Sequence, residues 1–363
     1  MPLAMHMANE LLNLPTAMVT LALAAVAVGI ASAIAARKID PHKLPLMGVI
    51  GAFVFAGQMI NFTLPGMPGT SGHLGGGVLL AILLGPSAGI VVMTAVLIVQ
   101  CLLFQDGGLL ALGCNIINMG VIPCVLGGWL YQAMLGRRDS SPAWRQYLSA
   151  WVACVVALTA GAAMVPIETA FGGRLMIPVR DFSAVMVSVH LVIGLIEGLI
   201  TFAVLAYVRQ VRPDVLGLAD ATDAAARSPL SGKAFAFSLL LTAVMLAGVV
   251  SWFASTHPDG LEWAYQQHKY AVPAELPVKP ATPAIVAVDD WQSRWALLSD
   301  YGKRPAPLGQ TPPCQTTDAQ AAAQWGQPDG WRSMAGIAGT FATLLLLFAV
   351  TRLLRRRKPA ADA

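Results

Sequence analysis

Charge is scarce in this sequence, and the scarcity limits the classes of protein to which it can belong. Of its 363 residues, 12% are Asp, Glu, Lys or Arg and 56% are hydrophobic, which lies outside the usage of soluble globular proteins. This balance argues against a soluble enzyme. The net charge of +4 is spread over short segments between apolar runs instead of forming one basic face, so we expect no nucleic-acid partner.

Two kinds of site are also missing. The sequence holds five cysteines; Cys314 stands alone and the others lie in apolar runs as small hydrophobic residues, so we predict no disulfide framework. The segment Ser231-Gly232-Lys233-Ala234 lacks the leading glycine and the hydroxyl residue of a Gly-x-x-x-x-Gly-Lys-Ser/Thr phosphate loop. ATP hydrolysis by such a loop is therefore excluded, and we expect no resident cofactor.

Long apolar runs are what the sequence does contain. We predict an all-α polytopic membrane protein of about nine transmembrane helices, because an apolar run of about 20 residues spans a bilayer. The run 71–104 is too long for one helix, and Gly85-Pro86 divides it, since proline ends or kinks a helix at the preceding residue. The predicted spans are 15–36, 46–64, 71–84, 87–104, 109–135, 147–171, 184–208, 235–254 and 334–354.

Basic residues indicate how these spans are oriented. Arg37-Lys38, Arg137-Arg138 and Arg209 each follow a span, and membrane proteins keep such residues in the cytoplasm. The same rule places the N-terminus outside the cell and the C-terminus, which follows Arg355-Arg356-Arg357-Lys358, in the cytoplasm. We expect an integral protein of the bacterial plasma (inner) membrane, with the lipid bilayer around it.

A change of composition at residues 211–233 divides the chain. This stretch contains alanine and aspartate with little apolar periodicity, as expected for a cytoplasmic linker. We predict a seven-helix domain at residues 5–210 and a two-helix accessory module at 234–363. The accessory module contains a polar section at 257–332, rich in proline and tryptophan, that we expect outside the membrane.

The segment from Asn61 to Gly77, NFTLPGMPGTSGHLGGG, is the first candidate for a functional site. It places His73 between two apolar segments, where an ionisable residue is costly unless it has a function. The surrounding glycines allow sharp turns and a close approach of the backbone to another segment. The alternative is that these glycines pack helices and that His73 makes an interhelical hydrogen bond.

Met5-His6 offers a partner for His73 if the working protein begins at Met5. A chain that begins Met-His presents its amine, the amide nitrogen of His6 and the imidazole of His6 in fused chelate rings. One further imidazole completes a planar set of four nitrogens, which favours Ni(II) or Cu(II). An earlier start cannot supply this set, because Pro2 has no amide proton, so we expect Met1 to Ala4 to be absent from the working protein.

Several motifs, in order along residues 5–212, carry a resemblance. They are Met5-His6-Met7, Gln58-Met59-Ile60-Asn61-Phe62, Gly69-Thr70-Ser71-Gly72-His73-Leu74, Asp106-Gly107-Gly108-Leu109-Leu110-Ala111-Leu112-Gly113 and Asn115 to Val121. They resemble the CbiM/NikM family, the substrate-capture components of energy-coupling-factor transporters for cobalt or nickel. The resemblance implies a metal bound by the amine of Met5, the backbone nitrogen and imidazole of His6, and His73. It also implies a transmembrane coupling subunit and a pair of ATPase subunits as partners.

The accessory module carries a second signature. Pro258-Asp259-Gly260-Leu261-Glu262 resembles the PDGLE domain of the NikN-like small membrane subunit of these transporters, here fused to the capture domain. We interpret Asp259 and Glu262 as structural, in a turn that opens a helix at Leu261.

Other polar residues near the motifs have weaker assignments. Gln58, Asn61 and Ser71 are candidates to orient His73 from a second layer, as imidazole ligands require, or they satisfy backbone groups at a helix end. His190 and Glu197 lie two turns apart on one helical face and could pair within the bundle, where a packing role is favoured over metal ligation.

We therefore predict the substrate-binding membrane component of an energy-coupling-factor ABC transporter that imports divalent nickel or cobalt. Nickel is preferred because of the planar nitrogen set and the fused module. Two alternatives stay open. An intramembrane metal-dependent hydrolase would need a general base near His73, and an organic solute carrier would tolerate the loss of His6 and His73.

Overall fold

The computed structural model describes residues 6–39, 43–136, 142–217, 230–267, 278–301 and 326–356. Helices dominate these ranges, and one short hairpin of two strands, β1 (Phe62–Thr63) and β2 (Ser71–Gly72), accompanies them. The helices are α1 (Leu14–Lys38), α2 (Leu44–Gln58), α3 (Gly77–Leu84), α4 (Pro86–Phe104), α5 (Leu112–Leu135), α6 (Ala143–Gly172), α7 (Val179–Val211), α8 (Gly232–Gly248), α9 (Gly260–Gln267), α10 (Pro283–Trp295) and α11 (Gly330–Arg356).

Within the described residues, six helices are long and apolar enough to cross a membrane, namely α1, α4, α5, α6, α7 and α11. Two shorter apolar helices, α2 and α8, accompany them. The predicted all-α polytopic membrane fold is thereby confirmed. The predicted span 71–84 is wrong in its first half, because residues 71–72 form β2 and the helix begins at Gly77. At 1.5 Å per residue, α3 is too short to cross the bilayer alone.

Helix α1 shows how local chemistry sets the boundaries. The side chain of Asn13 accepts a hydrogen bond from the backbone nitrogen of Thr16 at 2.9 Å and caps the first turn. Arg37 and Lys38 end the helix, where cations complement the helix dipole. Met18 and Val26 are more than half exposed, as expected for side chains that face lipid.

A glycine separates α3 from α4. Gly85 adopts φ 91° and Pro86 begins α4, so the chain reverses where proline cannot continue the helix and glycine accepts a backbone forbidden to other residues. The predicted break at Gly85-Pro86 is confirmed.

The middle of α5 is wound more widely than an α-helix. Ile116–Val121 and Pro123–Gly127 are π-helical, a form that concentrates at functional sites. Helix α6 lies so close to this stretch that a Cβ added at Gly161 would be 2.2 Å from the carbonyl oxygen of Asn118. Close contact through glycine is typical of helix packing in membranes.

The C-terminal helices pack against the first part of the chain. A Cβ at Gly339 of α11 would lie 2.1 Å from Cζ of Phe55 in α2, so the two helices are in close contact. Between α8 and α11, α9 packs against α7 and α10 packs near the end of α4. Gln292 of α10 donates hydrogen bonds to the carbonyl oxygens of Cys101 and Gly107 at 3.0 and 2.8 Å.

Candidate metal site

The structure brings His6 and His73 together, as the sequence predicts. Their ring centres are 5.4 Å apart and the rings are inclined by 62°. At this separation two imidazoles can bind one ion, with each ligating nitrogen about 2 Å from it. His6 is buried, at 3% exposure. Met5, the third predicted metal residue, lies outside the described residues.

The start of α5 fixes the segment that carries His6. Asn115 accepts a hydrogen bond from the backbone nitrogen of Met7 at 3.0 Å and donates one to the carbonyl oxygen of Met7 at 3.2 Å. The backbone nitrogen of Gly108 donates to the same carbonyl oxygen at 2.9 Å. The backbone nitrogen and the carbonyl oxygen of Met7 are therefore both hydrogen-bonded, which limits the positions that the neighbouring His6 can adopt.

A carboxylate orients His6. Nδ1 of His6 lies 2.8 Å from Oδ1 of Asp106, and the hydroxyl of Tyr301 donates to Oδ2 of Asp106 at 2.6 Å. Burial acts to lower the pKa of His6, but the Asp106 carboxylate outweighs it and raises the pKa above its ordinary value. Burial acts in the opposite sense on Asp106, whose pKa is nevertheless lowered by His6 and Tyr301. Nε2 of His6 is buried and has no hydrogen-bond partner among the described residues.

The loop that carries His73 is held by a buried acid from α7. Glu197 accepts hydrogen bonds from the backbone nitrogens of Gly75 and Gly76 at 2.8 and 3.0 Å. Gly76 has φ 80°, which a residue with a side chain rarely adopts. Nδ1 of His73 lies 3.1 Å from the carbonyl oxygen of Leu74; with that bond donated by Nδ1, Nε2 keeps a lone pair for an ion.

The three predicted second-layer residues bond to backbone groups around this loop. Gln58 donates to the carbonyl oxygen of Gly75 at 2.8 Å. Ser71 donates to the carbonyl oxygen of His257 at 2.8 Å through its hydroxyl. The carbonyl oxygen of Asn61 accepts from the backbone nitrogen of Ser255 at 2.7 Å. Their proposed orienting effect on His73 remains a prediction.

His190 and Glu197, which the sequence offers as a possible pair, do not bond each other. Glu197 is occupied by the glycine loop, and Nδ1 of His190 bonds the carbonyl oxygen of Met186 at 2.8 Å, one helical turn back. The pairing fails because the backbone offers each side chain a nearer partner than the other side chain two turns away. His190 instead lines the same cavity as His6 and His73.

This cavity has a volume of about 70 Å³, enough for more than one water-sized occupant. Asp259 also lines it, at 4% exposure, and burial raises the pKa of Asp259 to about 7. Among the described residues no group of three or more His, Cys, Asp or Glu side chains is arranged to hold an ion. Two imidazoles therefore supply only part of a ligand set.

Sequence reasoning missed three acidic residues of this site. In the sequence, Asp106 stands only within one of the motifs, Asp259 within a turn, and Glu197 two helical turns from His190. The composition does carry a signal for such residues. Acidic side chains are rarely buried in apolar chains, and those that are usually have a partner or a function.

Comparisons with known proteins agree with this architecture. Residues 6–215 match the family described as "Cobalt uptake substrate-specific transmembrane region", and residues 233–356 match the PDGLE domain. A putative fused nickel transport protein NikMN of Archaeoglobus fulgidus is 39% identical over 171 residues, which cover 47% of this chain and 55% of that protein. The match thus spans about half the length of that relative.

Two further comparisons each cover a little more than half of the chain. A putative metal transport protein of Haloquadratum walsbyi is 36% identical over 192 residues, 53% of this chain and 84% of that protein. A crystal structure described as that of a transition metal transporter is 29% identical, with a TM-score of 0.49, and the match covers 57% of this chain and 93% of that chain.

Proposed function

Because this chain belongs to the family of cobalt uptake substrate-specific transmembrane regions, we propose that it is a non-enzymatic transporter component that captures divalent nickel or cobalt. The observation that carries the proposal is the approach of His6 and His73 to 5.4 Å between ring centres in a cavity that also admits an ion. Relatives named as nickel and cobalt transport proteins support the substrate class.

The proposed ligands are the amine of Met5, the amide nitrogen and imidazole of His6, and the imidazole of His73. Fused chelate rings use Nδ1 of His6, which bonds Asp106 in the structure. Binding of the metal would replace this hydrogen bond with a metal–nitrogen bond and release the Nδ1 and amide protons of His6, and Asp106 would remain beside the ion as a compensating charge. Nickel is the preferred ion because it favours four nitrogens in a plane.

We propose the following setting for capture. Residues 5–210 form the capture domain, 211–233 a cytoplasmic linker and 234–363 the accessory module, with the N-terminus outside the cell and the C-terminus in the cytoplasm. The arginine-rich end of α11 supports this orientation. A transmembrane coupling subunit and two ATPase subunits supply the work of import in the plasma membrane, since this chain has no phosphate loop of its own.

The test is metal analysis of the purified chain together with its intact mass, after nickel and cobalt are offered separately. We expect one tightly held ion per chain that begins at Met5. His6→Ala and His73→Ala should each lose the ion, because each removes an imidazole from the ligand set. His257→Ala is the matched control, because His257 does not line the cavity, and it should retain the ion.

Two results would contradict the proposal in different ways. A verified Met5 start with no retained metal would remove metal capture as the function. A retained ion on a chain that still carries Met1 to Ala4 would leave metal capture in place and remove the amine from the ligand set.

A further inference from the structure

The segment that precedes α9 is bound to the loop that carries His73. The backbone nitrogen of Ser71 donates to the carbonyl oxygen of Pro258 at 2.8 Å, and the Ser71 hydroxyl bonds the neighbouring carbonyl oxygen of His257. These contacts join the two regions of the chain next to the cavity. They fix the backbone just before the proposed ligand His73 and just before the acid Asp259.

Helix α9 packs so closely against α7 that no side chain fits at Gly260 without a shift of its neighbours. A Cβ added at Gly260 would lie 2.6 Å from Cγ1 of Val189 and 3.3 Å from Cε1 of His190. Only glycine at position 260 allows α9 to approach α7 this closely. This contact holds the preceding residue, Asp259, at the cavity that the imidazoles line. Asp259 enters the site because the turn packs closely, not because the turn itself requires an acid there.

Capping alone does not explain an aspartate at this place. Oδ1 of Asp259 accepts from the backbone nitrogen of Glu262 at 2.8 Å and so caps α9, but asparagine and serine cap equally well without a charge. A carboxylate that is 4% exposed is costly unless a positive charge compensates it. The cavity that it lines is also lined by the two proposed imidazole ligands, His6 and His73.

We propose that Asp259 is a further residue of the metal site, a carboxylate supplied by the second region of the chain that compensates the charge of the captured cation. This inference rests on the proposed function. It makes the PDGLE segment a part of the binding site and gives the fusion of the two regions a chemical reason. The carboxylate binds the ion by charge, next to the nitrogen ligands that set its geometry.

The experiment uses the full chain in detergent and Ni²⁺ alone as the probe. Asp259→Asn keeps the capping oxygen and removes the charge, so we expect the Kd for Ni²⁺ to rise at least tenfold. Asp259→Glu keeps the charge and should recover part of the affinity. The visible absorption of bound Co²⁺ should also change in Asp259→Asn, which a purely structural role would leave as it is.

The chain contains a matched control. Asp329 follows Pro328 and precedes Gly330, and it caps α11 by accepting from the backbone nitrogens of Trp331 and Arg332 at 3.0 and 3.1 Å. It repeats the Pro-Asp-Gly turn away from the cavity. Asp329→Asn should bind Ni²⁺ as the wild type does.

The outcomes separate this inference from the proposed function. If Asp259→Asn binds Ni²⁺ within twofold of the wild type while His73→Ala does not bind, Asp259 has no part in the metal site and the proposed function stands. If the wild type itself binds no Ni²⁺ or Co²⁺, both fail. If Asp329→Asn loses as much affinity as Asp259→Asn, the effect comes from the turn and the inference is overturned.

Discussion

The bond between Glu197 and the glycine loop offers the sharpest test of how the site is built. Glu197→Gln replaces a carboxylate that accepts from Gly75 and Gly76 with an amide that has one acceptor oxygen. At least one backbone nitrogen then faces an NH₂ group. A hydrogen bond to a charged group contributes about 1.5–3 kcal/mol. Without that bond the binding of the ion must also order the loop, so we expect the affinity for nickel to fall by roughly 10-fold to 100-fold.

Titration calorimetry of the full chain with Ni²⁺ in detergent measures this loss. Thr201→Val is the control, since Thr201 is buried one turn further along α7 and bonds Cys154 at 3.4 Å instead of the loop. A folded Glu197→Gln protein whose Kd lies within twofold of the wild type would show that the carboxylate does not order the metal site.

Three other variants test the neighbouring parts of the structure. Gly75→Ala puts its Cβ within 2.9 Å of side chains on α6 and α7 and should weaken Ni²⁺ binding at least tenfold, whereas Gly29→Ala enters open space and should not. Binding needs neutral His6, so affinity falls as pH drops through its raised pKa. Asp106→Asn removes the group that raises this pKa and should move the loss of Ni²⁺ binding to lower pH; an upward move would refute the assignment. Gly339→Ala meets an aromatic ring of α2 at 2.1 Å and should destabilise the chain by about 1–3 kcal/mol, seen as a lower Tm.

Features set by local chemistry were predictable from the sequence. The apolar run of α1 stops where Arg37 and Lys38 follow it, and the helix ends there. Gly85-Pro86 breaks its helix because each residue alone disfavours continuation. The pairing of His6 with His73 followed from the ligand chemistry of a Met-His start and from the resemblance of the motifs, since the apolar pattern of neither segment specifies the other.

Features set by contacts between distant segments were not predictable in the same way. Residues 71–76 are glycine-rich and run directly into the apolar residues 77–84, so the sequence predicts one helix over both. Ser71 instead pairs in a hairpin with Thr63 and bonds the carbonyl oxygen of Pro258. Asp259 looks like an ordinary turn residue until the packing of Gly260 on α7 is known. In both cases the deciding contact is made with a segment distant in sequence, so the local sequence does not predict it.

The bond from Tyr301 to Asp106 also bears on how the protein is made. These two residues are 195 positions apart, so at about 5–20 residues per second a ribosome needs roughly 10–40 seconds to add the second after the first. During that interval the nascent chain already contains both imidazoles but lacks the hydroxyl that holds Asp106, and Asp259 is added only late in it, 42 residues before Tyr301. A ribosome-stalled chain that ends before Tyr301 is therefore expected to retain Ni²⁺ less well than the released protein. The order of synthesis delays completion of the site until most of the polypeptide has been inserted.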